Sequence, residues 1–216
     1  MTIKIAPSML SADFANLERD LKEVEKSGAD FLHVDIMDGH FVPNITFGPD
    51  QVAQIRKKIS IPFDVHLMIS EPLKYINQFA DAGADIITVH VESQGDIQAC
   101  IDAIVKKGVK PGLVLSPDTP LKVIEPYLDQ IGMILIMCVY PGFGGQSYIS
   151  GCTQKIRVCR KMIGNRSIDL EIDGGINFNI LKEVVDAGAN VIVSGSCLFN
   201  GEIQKNMKRF RKIIEE

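Results

Sequence analysis

One short pattern recurs three times and limits what this chain can fold into. Gly28-Ala29-Asp30 leads into Phe31 to Asp35, Gly83-Ala84-Asp85 into Ile86 to His90, and Gly188-Ala189-Asn190 into Val191 to Gly195. Each copy follows an amphipathic stretch and precedes a short apolar, partly β-branched run, the signature of a helix closing on a glycine cap and then a buried parallel strand. The copies are separated by 55 and 105 residues, and 216 residues divided by eight gives 27. The gaps are therefore close to two and four units of an eightfold βα repeat. The missing units are legible between the copies. Strands are expected at Ile3 to Pro7, Phe31 to Asp35, Phe63 to Leu67, Ile86 to His90, Lys110 to Leu115, Met133 to Val139, Ile168 to Ile172 and Val191 to Ser194. Helices are expected at Asn16 to Lys26, Pro49 to Lys58, Pro72 to Asp81, Ile97 to Lys106, Pro120 to Leu128, Thr153 to Ile163, Asn179 to Ala187 and Glu202 to Ile214. An open doubly wound sheet would want a glycine-rich fingerprint after the first strand, and Ala6-Pro7-Ser8-Met9-Leu10 is not one. No linker-like stretch interrupts the pattern, so residues 1–216 read as a single α/β domain, a (β/α)8 TIM barrel.

Composition narrows the function classes. With 46% hydrophobic and 23% charged residues the chain is an ordinary globular one. A net charge of −4 gives no attraction to phosphate backbones, so nucleic-acid binding is disfavoured. No apolar run approaches the roughly 18 residues that a membrane span needs, and Met1 to Leu10 lacks a signal-peptide apolar core. The five cysteines are odd in number and form no C-x-x-C, which argues against a disulfide framework and a zinc ribbon and fits a reducing cytoplasm.

Chemistry in such a barrel belongs at the C-terminal strand ends. There the second strand carries His33-Val34-Asp35-Ile36-Met37-Asp38, the third Asp64-Val65-His66-Leu67-Met68 and the seventh Glu171-Ile172-Asp173. Side chains alternate along a strand, so His33, Asp35 and Met37 share a face. His33, Asp35, His66 and Asp173 form a plausible nitrogen and oxygen site for one divalent ion of the zinc, iron, manganese or cobalt type. Glycine clusters at Gly142-Phe143-Gly144-Gly145, Gly174-Gly175 and Gly195-Ser196 follow three consecutive strands, where backbone N–H groups can approach a phosphate closely. His90 stands where Asp35 does in the repeat and is as well explained by structure as by function. His40 reads as a loop-ordering group. Met37, Met68 and Met137 could floor a substrate pocket.

At these residues the sequence resembles the ribulose-phosphate 3-epimerase family. The matching stretches are Pro7 to Phe14, His33 to Asn44, His66-Leu67-Met68, Gly142 to Gln146 and Asp173 to Ile176. The resemblance implies a barrel of the ribulose-phosphate-binding type that interconverts D-ribulose 5-phosphate and D-xylulose 5-phosphate through a metal-stabilised enediolate. It further implies His33, Asp35, His66 and Asp173 as metal ligands and Asp35 with Asp173 as the acid/base pair. Ser8, His66, Gly142, Phe143, Gly144, Gly145, Gly174, Gly175, Gly195 and Ser196 are implied as substrate contacts, and a homo-oligomer, dimer or hexamer, as the assembly. A 3-epimerase acting on D-allulose 6-phosphate with the same site is the alternative. A phosphosugar lyase is a more distant one, since His66 stands where such relatives would carry a lysine. A barrel that only binds a phosphosugar has no need of two carboxylates beside a metal.

Overall fold

The computed structural model describes residues 2–215. Eight parallel strands, β1 (Lys4–Pro7), β2 (Leu32–Met37), β3 (Phe63–Met68), β4 (Ile86–His90), β5 (Lys110–Leu115), β6 (Met133–Met137), β7 (Asp169–Asp173) and β8 (Val191–Ser194), pair in sequence order, and β8 returns to β1. The seam between β1 and β2 is closed by the amides of Asp30 and Phe31, which donate to the Ile5 carbonyl, and by a bridge between Ser8 and His33. Around this barrel lie α1 (Leu17–Lys26), α2 (Pro49–Arg56), α3 (Ile76–Asp81), α4 (Ile97–Lys106), α5 (Cys152–Ile163), α6 (Leu181–Asp186), α7 (Ser196–Phe199) and α8 (Ile203–Glu215). The main core lies between the helices and the outer strand faces, built from residues such as Leu32, Val34, Phe63, Val65, Ile134 and Ile172.

The recurrent tripeptide has a clear mechanical role. Its third residue lies at the foot of one strand and accepts a hydrogen bond from a backbone N–H of the strand before it. Asp30 Oδ2 takes Ile5 N, Asp85 Oδ2 takes Phe63 N and Asn190 Oδ1 takes Leu170 N, each at 2.7 Å. An arginine on a neighbouring helix then grips each acceptor: Arg211 at 2.5 Å, Arg56 at 3.2 Å and Arg160 at 2.7 Å. Two of these arginines need the glycine. Gly83 and Gly188 have φ of +103° and +113°, and a Cβ there would come within 2.5 Å of the Arg56 stem and 2.7 Å of the Arg160 stem. Each repeat thus fastens a helix, a turn and two strands at one point. The floor is completed by Asp169, whose Oδ2 receives Lys4 Nζ at 3.0 Å and Lys110 Nζ at 2.6 Å.

The expected strands all form, β2 running on to Met37 and β7 to Asp173, while β6 stops at Met137. The connections depart more. The helix expected over Pro120 to Leu128 is a 3-10 segment, Leu121–Tyr127, because in an α-helix the Pro126 ring would clash with the carbonyl four residues earlier. Pro72 to Asp81 divides into a 3-10 turn, Pro72–Lys74, and α3. The first loop holds two short 3-10 turns, and α7 is inserted after β8, none of them foreseen. No helix among the described residues is long and apolar enough to cross a membrane, and all five cysteines are free.

If the tripeptide clamps the barrel foot, Asp85→Ala should cost about 1–3 kcal/mol in urea unfolding by orphaning the Phe63 amide. Asp85→Asn keeps an acceptor and should lose clearly less.

Candidate active site

The inner faces of the strands hold an unusual amount of polarity. Parallel pairing sets His33 beside Asp64 and Asp35 beside His66, and both pairs are buried. Asp173 joins them from the end of β7, half-buried at the cavity wall. Ligand-capable atoms of His33, Asp35, His66 and Asp173 all lie within 4.8 Å of one another. Asp35 is central. Its Oδ2 accepts from the Ser8 hydroxyl at 2.6 Å, which leaves Oδ1 at 3.4 Å from both His33 Nε2 and His66 Nδ1.

Those two ring nitrogens are buried and have no hydrogen-bond partner among the described residues. Orphaned buried polar atoms are rare and need a reason. Two imidazole nitrogens and two carboxylates converging on one point supply it: the donor set fits a divalent ion held by nitrogen and oxygen ligands.

Beneath this layer lies a second. His33 Nδ1 sits 2.6 Å from Asp64 Oδ2 and 3.5 Å from Glu171 Oε1, all three fully enclosed. Burial, with the charge of Asp64, pushes the Glu171 carboxyl well above its ordinary range, so it holds a proton. Burial opposes charge on His33 as well, yet Asp35 and Asp64 together raise its pKa. Asp64 and Glu171 fill this layer although the sequence reading singled out neither; the signal was the two-residue period, since they stand two positions before His66 and Asp173.

The two carboxyl groups of the upper layer are driven apart. Burial and then the charge of Asp35 push Asp173 up to about 7. Burial acts on Asp35 too, but His33 and His66 outweigh it and hold that carboxyl far below the usual range. His66 is lowered to about 4, chiefly by burial. The two carboxyl groups of one site therefore differ widely in acidity, the division that acid/base chemistry uses.

Above the cluster opens a cavity of about 300 Å³. Ser8, Asp35 and Asp173 line it together with Met37, Met68 and Met137, and its wall includes the three glycine clusters. Gly175 packs against the chain that follows the first of them: a Cβ there would stand 2.3 Å from Tyr148 N. The loop after β2 is tied down by Asp38, which accepts from the amides of His40, Phe41 and Ser70, and by Asn44, whose side chain donates to the Gly142 carbonyl at 2.9 Å. Of the expected substrate contacts, all but His66 line the cavity; His66 is fully buried below it, and Phe143 stands on the exposed rim. His40 orders its loop as expected, and His90 turns inward onto His66.

Fold and site together define an enzyme-type TIM barrel with its polar groups gathered at the C-terminal mouth. The structure of orotidine 5'-phosphate decarboxylase from Pyrococcus horikoshii OT3 has this fold, with a TM-score of 0.72 at 14% identity over 98% of this chain and 99% of that one. KGPDC from Streptococcus mutans superposes with a TM-score of 0.75 at 12% identity over 100% and 98%. Sequence carries the assignment further. The chain belongs to the ribulose-phosphate 3 epimerase family, whose model matches residues 4–199. It is 48% identical to the ribulose-phosphate 3-epimerase of Bacillus subtilis, over 94% of this chain and 95% of that protein. Against the enzyme of that name from Rhodobacter capsulatus it is 50% identical over 93% and 87%.

The raised Asp173 has a sign that can be checked. Stability owed to its protonated form is complete below its ordinary value of 3.8 and is lost as pH rises through about 7. Metal-stripped Asp173→Asn should therefore melt higher than metal-stripped wild type at pH 8, with the gap opening between pH 4 and 7 in calorimetry.

Proposed function

We propose that this protein is a metal-dependent 3-epimerase interconverting D-ribulose 5-phosphate and D-xylulose 5-phosphate. The observation that carries the reading is the pair Asp35 and Asp173, two carboxyl groups on the wall of one cavity whose oxygens lie within 4.8 Å of each other and of His33 and His66. Family membership and the names of the relatives support the substrate.

Inverting a carbon next to a carbonyl means removing its proton from one face and returning one to the other. One of Asp35 and Asp173 takes the proton as a base while the other supplies one as an acid; the reverse direction swaps the roles. The Ser8 hydroxyl fixes Asp35 so that its other oxygen faces His33 and His66 in the cluster. His33, Asp35, His66 and Asp173 would hold the divalent ion. Bound there, that ion supplies Lewis-acid stabilisation of the negative charge building on the substrate's keto oxygen. Met37, Met68 and Met137 give the reacting carbons an apolar floor that keeps water from competing for the proton. The phosphate lies against Gly174, Gly175, Gly195 and Ser196, with Gly142 to Gly145 folding over the chain of the sugar; binding at that end orients the reacting end.

In this reading residues 1–216 act as one domain, which the bond from Arg211 on α8 to the Ile3 carbonyl supports. The free thiols suit a cytoplasmic setting. Exposed Phe14 and Ile45 suit a homo-oligomer.

The test is a proton NMR time course in heavy water with metal-loaded protein and D-ribulose 5-phosphate. Deuterium should enter at the inverted carbon as the pentulose epimerises, and Asp35→Asn and Asp173→Asn should each lower the rate by about 10² or more. Near-normal turnover in either variant would sink the two-base scheme, and stronger exchange with D-allulose 6-phosphate would reassign the substrate. Gly144 has no unusual φ and its nearest neighbours stand 4.0 Å away, so Gly144→Val should fold normally yet fill substrate space. Its KM should rise several-fold in steady-state kinetics.

A further inference from the structure

Behind His66 a chain of hydrogen-bonding groups runs to the protein surface. His66 Nε2 lies 2.9 Å from His90 Nε2, and His90 Nδ1 lies 3.0 Å from Glu92 Oε2. The other oxygen of Glu92, Oε1, accepts from Ser116 N at 2.8 Å and from the Thr119 hydroxyl. The two imidazoles stack with centroids 5.0 Å apart, and Phe41 closes over His90 at 4.8 Å. Both histidines are fully buried, whereas the Glu92 side chain keeps 27% of its surface exposed.

The chain has a direction because its last member can only accept. A carboxylate has no proton to give, so His90 must present Nδ1–H to Glu92. A neutral imidazole carries one N–H, so His90 Nε2 is bare. The only group left to donate across the 2.9 Å contact is His66 Nε2–H. His66 Nδ1 then bears a lone pair, and this is the atom that stands orphaned in the upper cluster, 3.4 Å from Asp35. Without Glu92 the one carboxylate acting on the histidine pair would be Asp35, 3.4 Å from His66 Nδ1, which draws the proton to that nitrogen. An N–H would then face the cluster where a lone pair is needed. Glu92 is well placed to stay ionised: although burial opposes it, His90, Thr119 and Ser116 hold its carboxyl down at about 2.

We propose that Glu92 and His90 are positioning residues that set the tautomer of His66, so that its Nδ1 lone pair faces the ion site. The inference rests on the reading of that cluster as a metal site. Partners of this kind behind a ligating histidine typically change metal affinity by 10–100-fold. They act here from β4 and the turn after it, elements that contribute no ligand themselves.

The experiment uses Co²⁺, whose visible absorption reports binding, titrated into metal-stripped protein. Glu92→Leu and His90→Phe should each weaken binding by about 10-fold to 100-fold. Because both act through one ring, the double variant should be no weaker than the worse single variant. Nitrogen-15 NMR of the metal-free wild type supplies a readout that a packing role would not move: His66 should carry its proton on Nε2, and Glu92→Leu should shift it toward Nδ1. A wild-type His66 protonated on Nδ1 overturns the proposal even if His90→Phe does not fold. So do single variants that bind Co²⁺ within twofold of wild type, or losses that add in the double variant. A wild type that binds no Co²⁺ overturns the metal reading itself.

Discussion

The structure turns on the cost of enclosing carboxyl groups. Asp35, Asp64 and Glu171 sit inside the barrel beside His33 and His66, with Asp173 at the rim, and a dry interior penalises every charge among them. The protein answers by pairing and by proton retention. Asp64 faces His33, Glu171 keeps its proton, and Asp35 is held by Ser8 and two imidazoles. Asp173, nearest the cavity, lacks a close imidazole partner, and burial with the charge of Asp35 raises its pKa. What looks like a catalytic asymmetry is therefore an outcome of how far a nearby imidazole offsets burial at each carboxyl group.

The scaffold that bears this load is a general one. Structures at 12% and 14% identity share the barrel over nearly their whole length. The clamps of Asp30, Asp85 and Asn190 work at the strand feet, on the opposite end from the cavity. The two ends meet different demands: the lower face binds strands to helices through buried backbone donors, and the upper face keeps donors and acceptors unsatisfied for a ligand. The separation lets the mouth carry unpaired groups without loosening the foot.

Legibility in the sequence followed the same division. The strands were readable because their apolar runs are short, regular and punctuated by the Gly-Ala-Asx motif, and the upper cluster because Asp35, His66 and Asp173 fall in the C-terminal halves of their strands, with His33 on the same face as Asp35. Connections were less so. Pro126 sits inside an otherwise helical apolar pattern, and the pattern alone conceals that the turn tightens to 3-10. Asp64 and Glu171 were in view, two residues before recognised neighbours, but a carboxyl one layer down has no separate sequence mark. Glu92 was harder still. Its link to His66 passes through His90 and depends on β3 and β4 lying side by side, and local sequence does not encode such a contact.

The seam of the barrel has a consequence for how the protein is made. Ser8 bridges to His33 across the last gap between strands, and the same residue steadies Asp35. The other edge of β1 pairs only with β8, close to 190 residues further along the chain. On the ribosome, His33, Asp35 and His66 emerge early on neighbouring strands, while Asp173 and the strand that docks β1 follow much later. A nascent chain therefore carries most of its polar cluster on an unclosed sheet, with the carboxyl of Asp173 still absent. The cluster is complete only once β7 has joined the sheet, after more than three quarters of the chain has been made.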